Sequence, residues 1–156
     1  MTSEETRRRA CNVYERPDRY VLVTGSRTTA GIWVDDGEPI VLACDSSDEE
    51  LGQAVLQSLS ASRTNLPLPP VSELRKISRR LAAAGVRSES EFVRDARHVR
   101  VELLGSHASL DPARNDGPRR GFFYTDLRVE AERPTASTMG ALLRRAFELC
   151  TEGGAR

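Results

Sequence analysis

The chain has 156 residues, of which 38% are hydrophobic and 29% are charged. This length and composition are typical of one globular domain, which buries enough apolar surface to fold without disulfides or a structural metal. The 23 basic and 23 acidic residues cancel, and this balance argues against a protein whose whole surface is built to coat nucleic acid.

The N-terminal part of the sequence predicts an arm followed by three strands. Residues 1–15 show no sustained pattern and are predicted to form a flexible arm, which leaves 16–152 as a single α+β domain. Runs of β-branched and apolar residues predict the strands, at 20–24, 28–34 and 39–43. A turn at 25–27 would join the first two strands. Asp36 and Gly37 would form a tight hairpin between the last two, since both residues tolerate a positive φ.

Helical signals dominate the middle of the chain. Ser47 and Glu50 have the spacing of a capping box, and apolar residues recur after them at helical spacing, so a helix is predicted over 47–61. A proline-rich segment at 65–70 ends this helix. A second helix is predicted over 71–84, and its solvent side is basic. These bases are Arg75, Lys76, Arg79 and Arg80.

The C-terminal half again predicts strands followed by a long helix. A short helix begins at Ser88, and a loop rich in proline and glycine is predicted over 111–120. The strands of this half are predicted at 98–103, 121–124 and 127–131. Thr135 or Ser137 caps the last helix, whose apolar residues lie on one side.

The two long predicted helices share a weak internal similarity. Shifting the sequence by 88 residues places Leu51 and Gly52 on Met139 and Gly140. Each helix follows a strand, so the chain contains two weakly similar strand–helix halves. Together these patterns predict an α+β fold in which helices pack against a mostly antiparallel β-sheet.

The sequence contains few signs of catalytic chemistry. His98 and His107 lie near no cysteine pair with zinc-ligand spacing, and both are predicted to be surface residues. The segment 25–31 resembles a phosphate loop but lacks its lysine and its following helix. We therefore expect no enzyme, no metal and no cofactor. A pocket that united His107, Asp111 and a cysteine would instead indicate a small hydrolase or transferase.

The cysteines and the N-terminus indicate the compartment. Cys11, Cys44 and Cys150 are widely spaced and odd in number, which fits a reducing cytoplasm better than a disulfide framework. The N-terminus is acidic and polar where a signal peptide would be basic and then apolar. The longest apolar runs are far shorter than the roughly 20 residues that cross a membrane. We expect a cytoplasmic protein that does not bind a membrane.

Charge is distributed unevenly along the chain. Between Arg27 and Arg63 there are seven acids and no base. Two interpretations are open. The acids could form a solvated face with some of them at the start of a helix, or they could form an acidic patch that attracts a basic partner.

Several stretches resemble the CdiI-type immunity proteins of bacterial contact-dependent growth inhibition (CDI). They are Thr28–Ile32, Asp45–Leu56, Ser60–Asn65, the pairs Arg114-Asn115 and Gly121-Phe122, and Met139–Leu143 with the helix that continues to Cys150. Their order and spacing extend the resemblance over about residues 20–150.

The resemblance implies a cytoplasmic binding protein and not an enzyme. Its partner would be the C-terminal toxin domain of a cognate CdiA-type surface-delivered protein. Many such toxins are nucleases, whose basic surfaces would pair with an acidic patch. An exposed sheet edge, to which a toxin strand could add, is a second recognition device. Charge alone suggests the toxin-binding residues. These candidates are Asp35, Asp36, Glu38, Asp48 and Glu49.

The alternative function is a nucleic-acid-binding module. It would use the basic helix, Arg75–Arg80, and an arginine-rich loop with Arg114, Arg119 and Arg120. The zero net charge weakens this alternative, as does the presence of only one Trp, three Tyr and four Phe, since base stacking needs exposed aromatic residues. The preferred interpretation therefore involves no nucleic acid.

Overall fold

The structure, a computed structural model, describes residues 7–74 and 79–153. Within these residues the strands are β1 (Arg8–Glu15), β2 (Arg19–Arg27), β3 (Trp33–Ala43), β4 (Arg97–Leu104), β5 (His107–Asn115), β6 (Phe122–Tyr124), β7 (Val129–Glu132) and β8 (Thr151–Glu152). The helices are α1 (Asp48–Ser60), α2 (Val71–Leu74), α3 (Arg79–Ala84), α4 (Glu89–Val93) and α5 (Ala136–Glu148).

The described strands form one sheet in the order β3-β2-β1-β4-β5-β6. Neighbouring strands in this order are antiparallel. β7 also pairs with β5 in antiparallel fashion, and the short β8 pairs with β5 in parallel. The predicted α+β fold with a mostly antiparallel sheet and packed helices is confirmed.

The two faces of the sheet are covered to different extents. On one face, which we call the covered face, α1 and α5 pack against alternate strand residues and form the main core. On the other, which we call the open face, α3 and α4 form a smaller core with Tyr14, Val21 and Val23. Trp33, on β3, also faces this side and lies over Gly25, where an added Cβ would be 3.7 Å from its Cε3 atom.

The predicted N-terminal arm is wrong for residues 8–15, which form β1 in the interior of the sheet. β1 pairs with β2 on one side and with β4 on the other. Its apolar residues are buried on both faces, for example Val13 on the covered face and Tyr14 on the open face. A strand that is buried on both faces lacks the alternation that marks a half-exposed strand. Residues 1–6 lie outside the described part of the chain.

The predicted hairpin at Asp36-Gly37 is also wrong, because both residues lie inside β3. Ile40 of β3 pairs with Leu22 of β2, and Asp36 pairs with Thr24. Three residues of β3 therefore lie opposite the single residue Val23 of β2. Gly37 has a φ of 81°. The sequence therefore located a positive φ correctly, but the chain uses it for a β-bulge instead of a turn.

Three further predictions differ from the structure in extent. Residues 25–27, predicted as a turn, continue β2, and 28–32, predicted as strand, precede β3. Residues 111–115, predicted as loop, belong to β5. Pro112 lies opposite Val99 at the last pair of the β4–β5 ladder, where a missing N–H interrupts little pairing.

The helix predictions are largely confirmed. Ser47 and Glu50 form the predicted capping box at the start of α1, and Thr135 caps α5. The predicted helix over 71–84 is present as α2 and α3, and Arg75, Lys76 and the rest of 75–78 lie outside the described residues.

Two arginines at the junction of β1 and β2 hold the short helices on the open face. The last turns of α3 and α4 contain no base of their own. Arg19 donates to the carbonyl oxygen of Ala83 at 3.0 Å, and Arg16 donates to the carbonyl oxygens of Glu91 and Phe92 at the end of α4. Cations at helix C-termini donate hydrogen bonds to the free carbonyl groups and interact favourably with the negative end of the helix dipole. These contacts fix α3 and α4 relative to β2.

The two long helices cross at a pair of glycines. A Cβ on Gly52 would lie 1.6 Å from the carbonyl oxygen of Ala136, and a Cβ on Gly140 would lie 1.8 Å from that of Asp48. The residues in each contact are related by the same 88-residue shift that connects the two helices in the sequence. The weak internal similarity therefore corresponds to a locally symmetric crossing of α1 and α5.

Candidate functional site

The structure divides the acidic stretch into two groups. Asp35, Asp36 and Glu38 lie on β3, which pairs only with β2 among the described strands and so forms one edge of the sheet. Asp48 and Glu49 begin α1, a helix of 13 residues and thus about 20 Å long. Arg63, which follows the far end of that helix, contacts the β3 group. The acids therefore do not form one continuous patch.

Asp36 has a structural role within the β3 group. Its carboxylate accepts two hydrogen bonds from Arg63, from Nε at 2.8 Å and Nη2 at 2.7 Å, and a third from Ser26 Oγ at 2.6 Å. Arg63 accordingly lowers the pKa of Asp36. These bonds fasten the segment after α1 to the sheet, so the charge of Asp36 is largely neutralised inside the protein.

The other candidate acids differ in how strongly they are paired. Glu38 makes an exposed ion pair with Arg79 at 3.4 Å, and Asp48 pairs with Arg144. Glu49 is exposed. Asp35 has no hydrogen bond or ion pair with another described residue, and burial raises its pKa. Asp35, Glu38 and Glu49 are therefore the acids whose charge a partner could use most directly.

Among the described bases of the alternative function, Arg79, Arg80 and Arg114 make ion pairs within the protein. The predicted solvent side is wrong for Arg80, whose guanidinium lies 4.9 Å from the ring centroid of Phe92 and binds Glu89. Arg114 makes a two-point ion pair with Asp116. Arg119 and Arg120 are exposed in the loop between β5 and β6.

The residues that would indicate a hydrolase are not brought together. His107 lies between Glu130 and Glu132, and Asp111 binds Arg128 at 2.7 Å. In the described part of the chain, no group of three or more His, Cys, Asp or Glu side chains is placed to hold a metal ion. Within the same residues, no helix is long and apolar enough to cross a membrane.

The open face carries a cluster that the sequence did not indicate. Arg100 of β4 lies over the ring of Trp33, 5.2 Å from its centroid, and donates from Nε to Glu102 at 3.1 Å. Tyr124 of β6 has a pKa that burial raises, and the charge of Arg100 opposes this effect. We call Trp33, Arg100 and Tyr124 the open-face ladder. Its members come from three strands far apart in the sequence, so no local pattern could reveal it.

Below the ladder lies a buried histidine. The prediction of a surface residue is wrong for His98, which is 5% exposed. Its ring stacks on that of Tyr14, with centroids 4.5 Å apart, and its Nε2 lies 3.1 Å from Asn12 Oδ1. Burial and the charge of Arg100 lower its pKa to about 3, so the ring is neutral near pH 7. Its Nδ1 has no hydrogen-bond partner.

Comparisons with known proteins agree on one family and one fold. The family model described as CdiI, CDI immunity protein, matches residues 9–150. A protein of unknown function from Neisseria meningitidis has the same fold, with a TM-score of 0.78 and 20% identity over 96% of this chain and 99% of that one. A chain of a CdiA-CT/CdiI toxin and immunity complex from Yersinia pseudotuberculosis gives a TM-score of 0.75 and 19% identity, over 93% of this chain and 98% of that one. No curated protein sequence matches the chain.

Proposed function

Because the chain belongs to the CdiI family of CDI immunity proteins, we propose that it binds and neutralises the C-terminal toxin domain of a cognate CdiA-type protein in the cytoplasm. The observation that carries this proposal is the family match over 9–150, which includes the whole of α1 and α5 and nearly all of the sheet. The protein would act as a stoichiometric inhibitor and not as an enzyme.

We further propose that the toxin is a nuclease. A nuclease binds nucleic acid on a basic surface, and the exposed carboxylates of Glu38 and Glu49 would speed its encounter with this protein. The outer edge of β3 supports a second contact, since an extended toxin segment could add to the sheet through main-chain hydrogen bonds. Glu38 lies on this edge strand, whereas Glu49 lies in the first turn of α1.

Titration of the chain with its toxin tests the proposal. The C-terminal domain of the large secreted protein encoded beside this chain is added in a calorimeter, with both proteins shown to be folded. We expect a 1:1 complex with a nanomolar or tighter Kd. The absence of binding would contradict the proposal, and a filter-binding assay with mixed DNA and RNA at low salt would then test the alternative function.

The exposed acids should affect the rate of association more than the lifetime of the complex. We expect the double variant Glu38→Lys/Glu49→Lys to bind the toxin about tenfold more slowly at low salt, and with a weaker salt dependence, because it weakens electrostatic steering. Stopped-flow association at several salt concentrations measures both effects. The matched control is Asp126→Lys/Glu152→Lys, which makes the same charge change at exposed sites away from β3. Equal slowing in both variants would show that net charge acts and that the position of the acids does not.

A further inference from the structure

The open face leaves part of its surface free for a partner. The helices on this face, α3 and α4, pack over Tyr14, Val21 and Val23. Beyond them, the open-face ladder remains accessible. Tyr124 is 53% exposed, and Trp33 and Arg100 are half-buried. On the covered face, α1 and α5 bury the strand residues of the main core.

The ladder is already ordered in the free protein. Arg100 is held by the ring of Trp33 and by Glu102, and its charge acts on the hydroxyl of Tyr124. Trp33 in turn packs over Gly25, where an added Cβ would lie 3.7 Å from its Cε3 atom. Docking on side chains that are fixed beforehand costs less conformational entropy. Trp, Tyr and Arg are also the residue types that most often dominate the binding energy of protein interfaces.

One carboxylate beside the ladder, that of Asp35, makes no direct ion pair with a described residue. Asp35 lies two residues after Trp33 on β3, so both side chains project from the open face. Two other acids of this face have arginine partners, at 3.1 Å for Glu102 and 2.7 Å for Asp111. No described residue makes a hydrogen bond or ion pair with Asp35. The charge of Arg80 acts on Asp35, but its guanidinium hydrogen-bonds to Glu89 and to the hydroxyl of Tyr14.

The side chain of Asp35 is accessible to a partner, since the residue is exposed. Packing around its carboxylate still raises its pKa, and the charge of Arg80 only partly opposes this effect. A lysine or arginine from a partner would add a direct ion pair at this position. The basic surface of a nuclease carries such side chains, so the charge of the proposed partner is complementary to this position.

We propose that the toxin domain docks on the open face, with the open-face ladder at the centre of the contact and a toxin lysine or arginine paired with Asp35. This inference rests on the proposed function and specifies its binding surface. In this arrangement Trp33, Arg100 and Tyr124 contribute most of the binding energy. The exposed acids Glu38 and Glu49 increase the rate of association.

Two adjacent aromatic residues of β6 provide the test. Tyr124 belongs to the ladder, whereas Phe123 is similarly exposed at 46% but points to the opposite side of the strand, near Arg114. We expect Tyr124→Ala to weaken binding of the purified toxin domain at least 30-fold, since it removes a central interface aromatic. Phe123→Ala should change the Kd less than threefold. Circular dichroism and urea unfolding of both variants verify that they are folded.

Asp35→Asn tests the ion pair without changing the shape of the side chain. We expect about tenfold weaker toxin binding, and we expect this loss to shrink as salt screens the pair in the wild type. Glu148→Gln, at an exposed acid of α5 on the covered face, should leave the Kd unchanged.

The outcomes separate this inference from the proposed function. If the wild-type chain does not bind the toxin domain, the proposed function fails. If the wild type binds and Tyr124→Ala and Asp35→Asn bind equally well, the toxin docks elsewhere and only the open-face inference fails. Equal losses in Tyr124→Ala and Phe123→Ala, with both variants folded, would also overturn it.

Discussion

Replacing Gly140 by alanine should destabilise the protein by about 3 kcal/mol. The added Cβ would lie 1.8 Å from the carbonyl oxygen of Asp48 and 2.5 Å from its carbonyl carbon. These are backbone atoms of α1, so no side-chain rotation can relieve the overlap. The two helices must move apart, and their separation opens the main core around Leu51 and Leu143.

The sign of this effect distinguishes close packing from helix propensity. In an exposed helix, replacing glycine by alanine stabilises by roughly 1 kcal/mol. We expect the opposite sign at Gly140 and at Gly52, measured by urea unfolding followed by circular dichroism. The double variant should cost less than the sum of the single variants, because the first substitution already separates the helices. Ser137→Ala, on the exposed side of α5, is the control and should change stability by less than about 0.5 kcal/mol. A stabilised Gly140→Ala protein would contradict the close crossing.

Acidification should destabilise the protein through His98. Its pKa is about 3 in the folded protein and 6.5 when unperturbed, because burial disfavours the charged ring. The unfolded chain therefore takes up a proton first as the pH falls. The contribution of His98 to stability is complete above pH 6.5 and is lost as the pH decreases towards 3. The free energy of unfolding should fall by about 1.4 kcal/mol per pH unit in this window, or about 2 kcal/mol by pH 5.

Comparison with two variants isolates this contribution from that of the carboxyl groups. His98→Gln keeps a polar side chain near Asn12 but cannot be protonated. It should be less stable than the wild type at pH 7 and lose less stability between pH 7 and pH 5, as measured by urea unfolding at both pH values. His107→Gln is the control, since Glu132 raises the pKa of His107 and reverses the sign of its contribution. If His98→Gln and the wild type lost equal stability, His98 would not be the group responsible.

Local signals made much of the fold predictable. The capping residues Ser47, Glu50 and Thr135 act within one helical turn, so they can be recognised from neighbouring residues alone. The stripe of apolar residues on each long helix is equally local. The weak similarity between the halves identified Gly52 and Gly140, but only the structure explains it, since their meeting depends on how α1 and α5 pack.

Strand pairing was harder to predict because it depends on distant residues. β1 was missed since it is buried on both faces by residues from other parts of the chain, and the sequence near its start is rich in arginine. Asp36 and Gly37 have the composition of a hairpin, but the pairing of Asp36 with Thr24 continues the strand past them. Local composition therefore indicates a positive φ at this position, but it does not determine whether the chain forms a turn or a β-bulge.

The candidate site shows the same limit for charge. The acidic stretch contains no base, but the fold supplies Arg63, Arg79 and Arg144 from elsewhere. Counting charges along the sequence therefore overstated the field around the acids. The open-face ladder was missed for the converse reason, since its residues become neighbours only when the sheet forms. The roles of the candidate acids in toxin binding remain predictions.

Protection of growing cells is the most direct measurement of the central claim. The C-terminal toxin domain encoded beside this chain is expressed from an inducible promoter in a bacterium, with and without this chain. We predict that growth stops without the chain and continues with it, and that an unrelated CDI toxin still stops growth in the protected cells. Continued growth arrest, with this chain folded and in excess over the toxin, would contradict the conclusion that it is an immunity protein for that toxin.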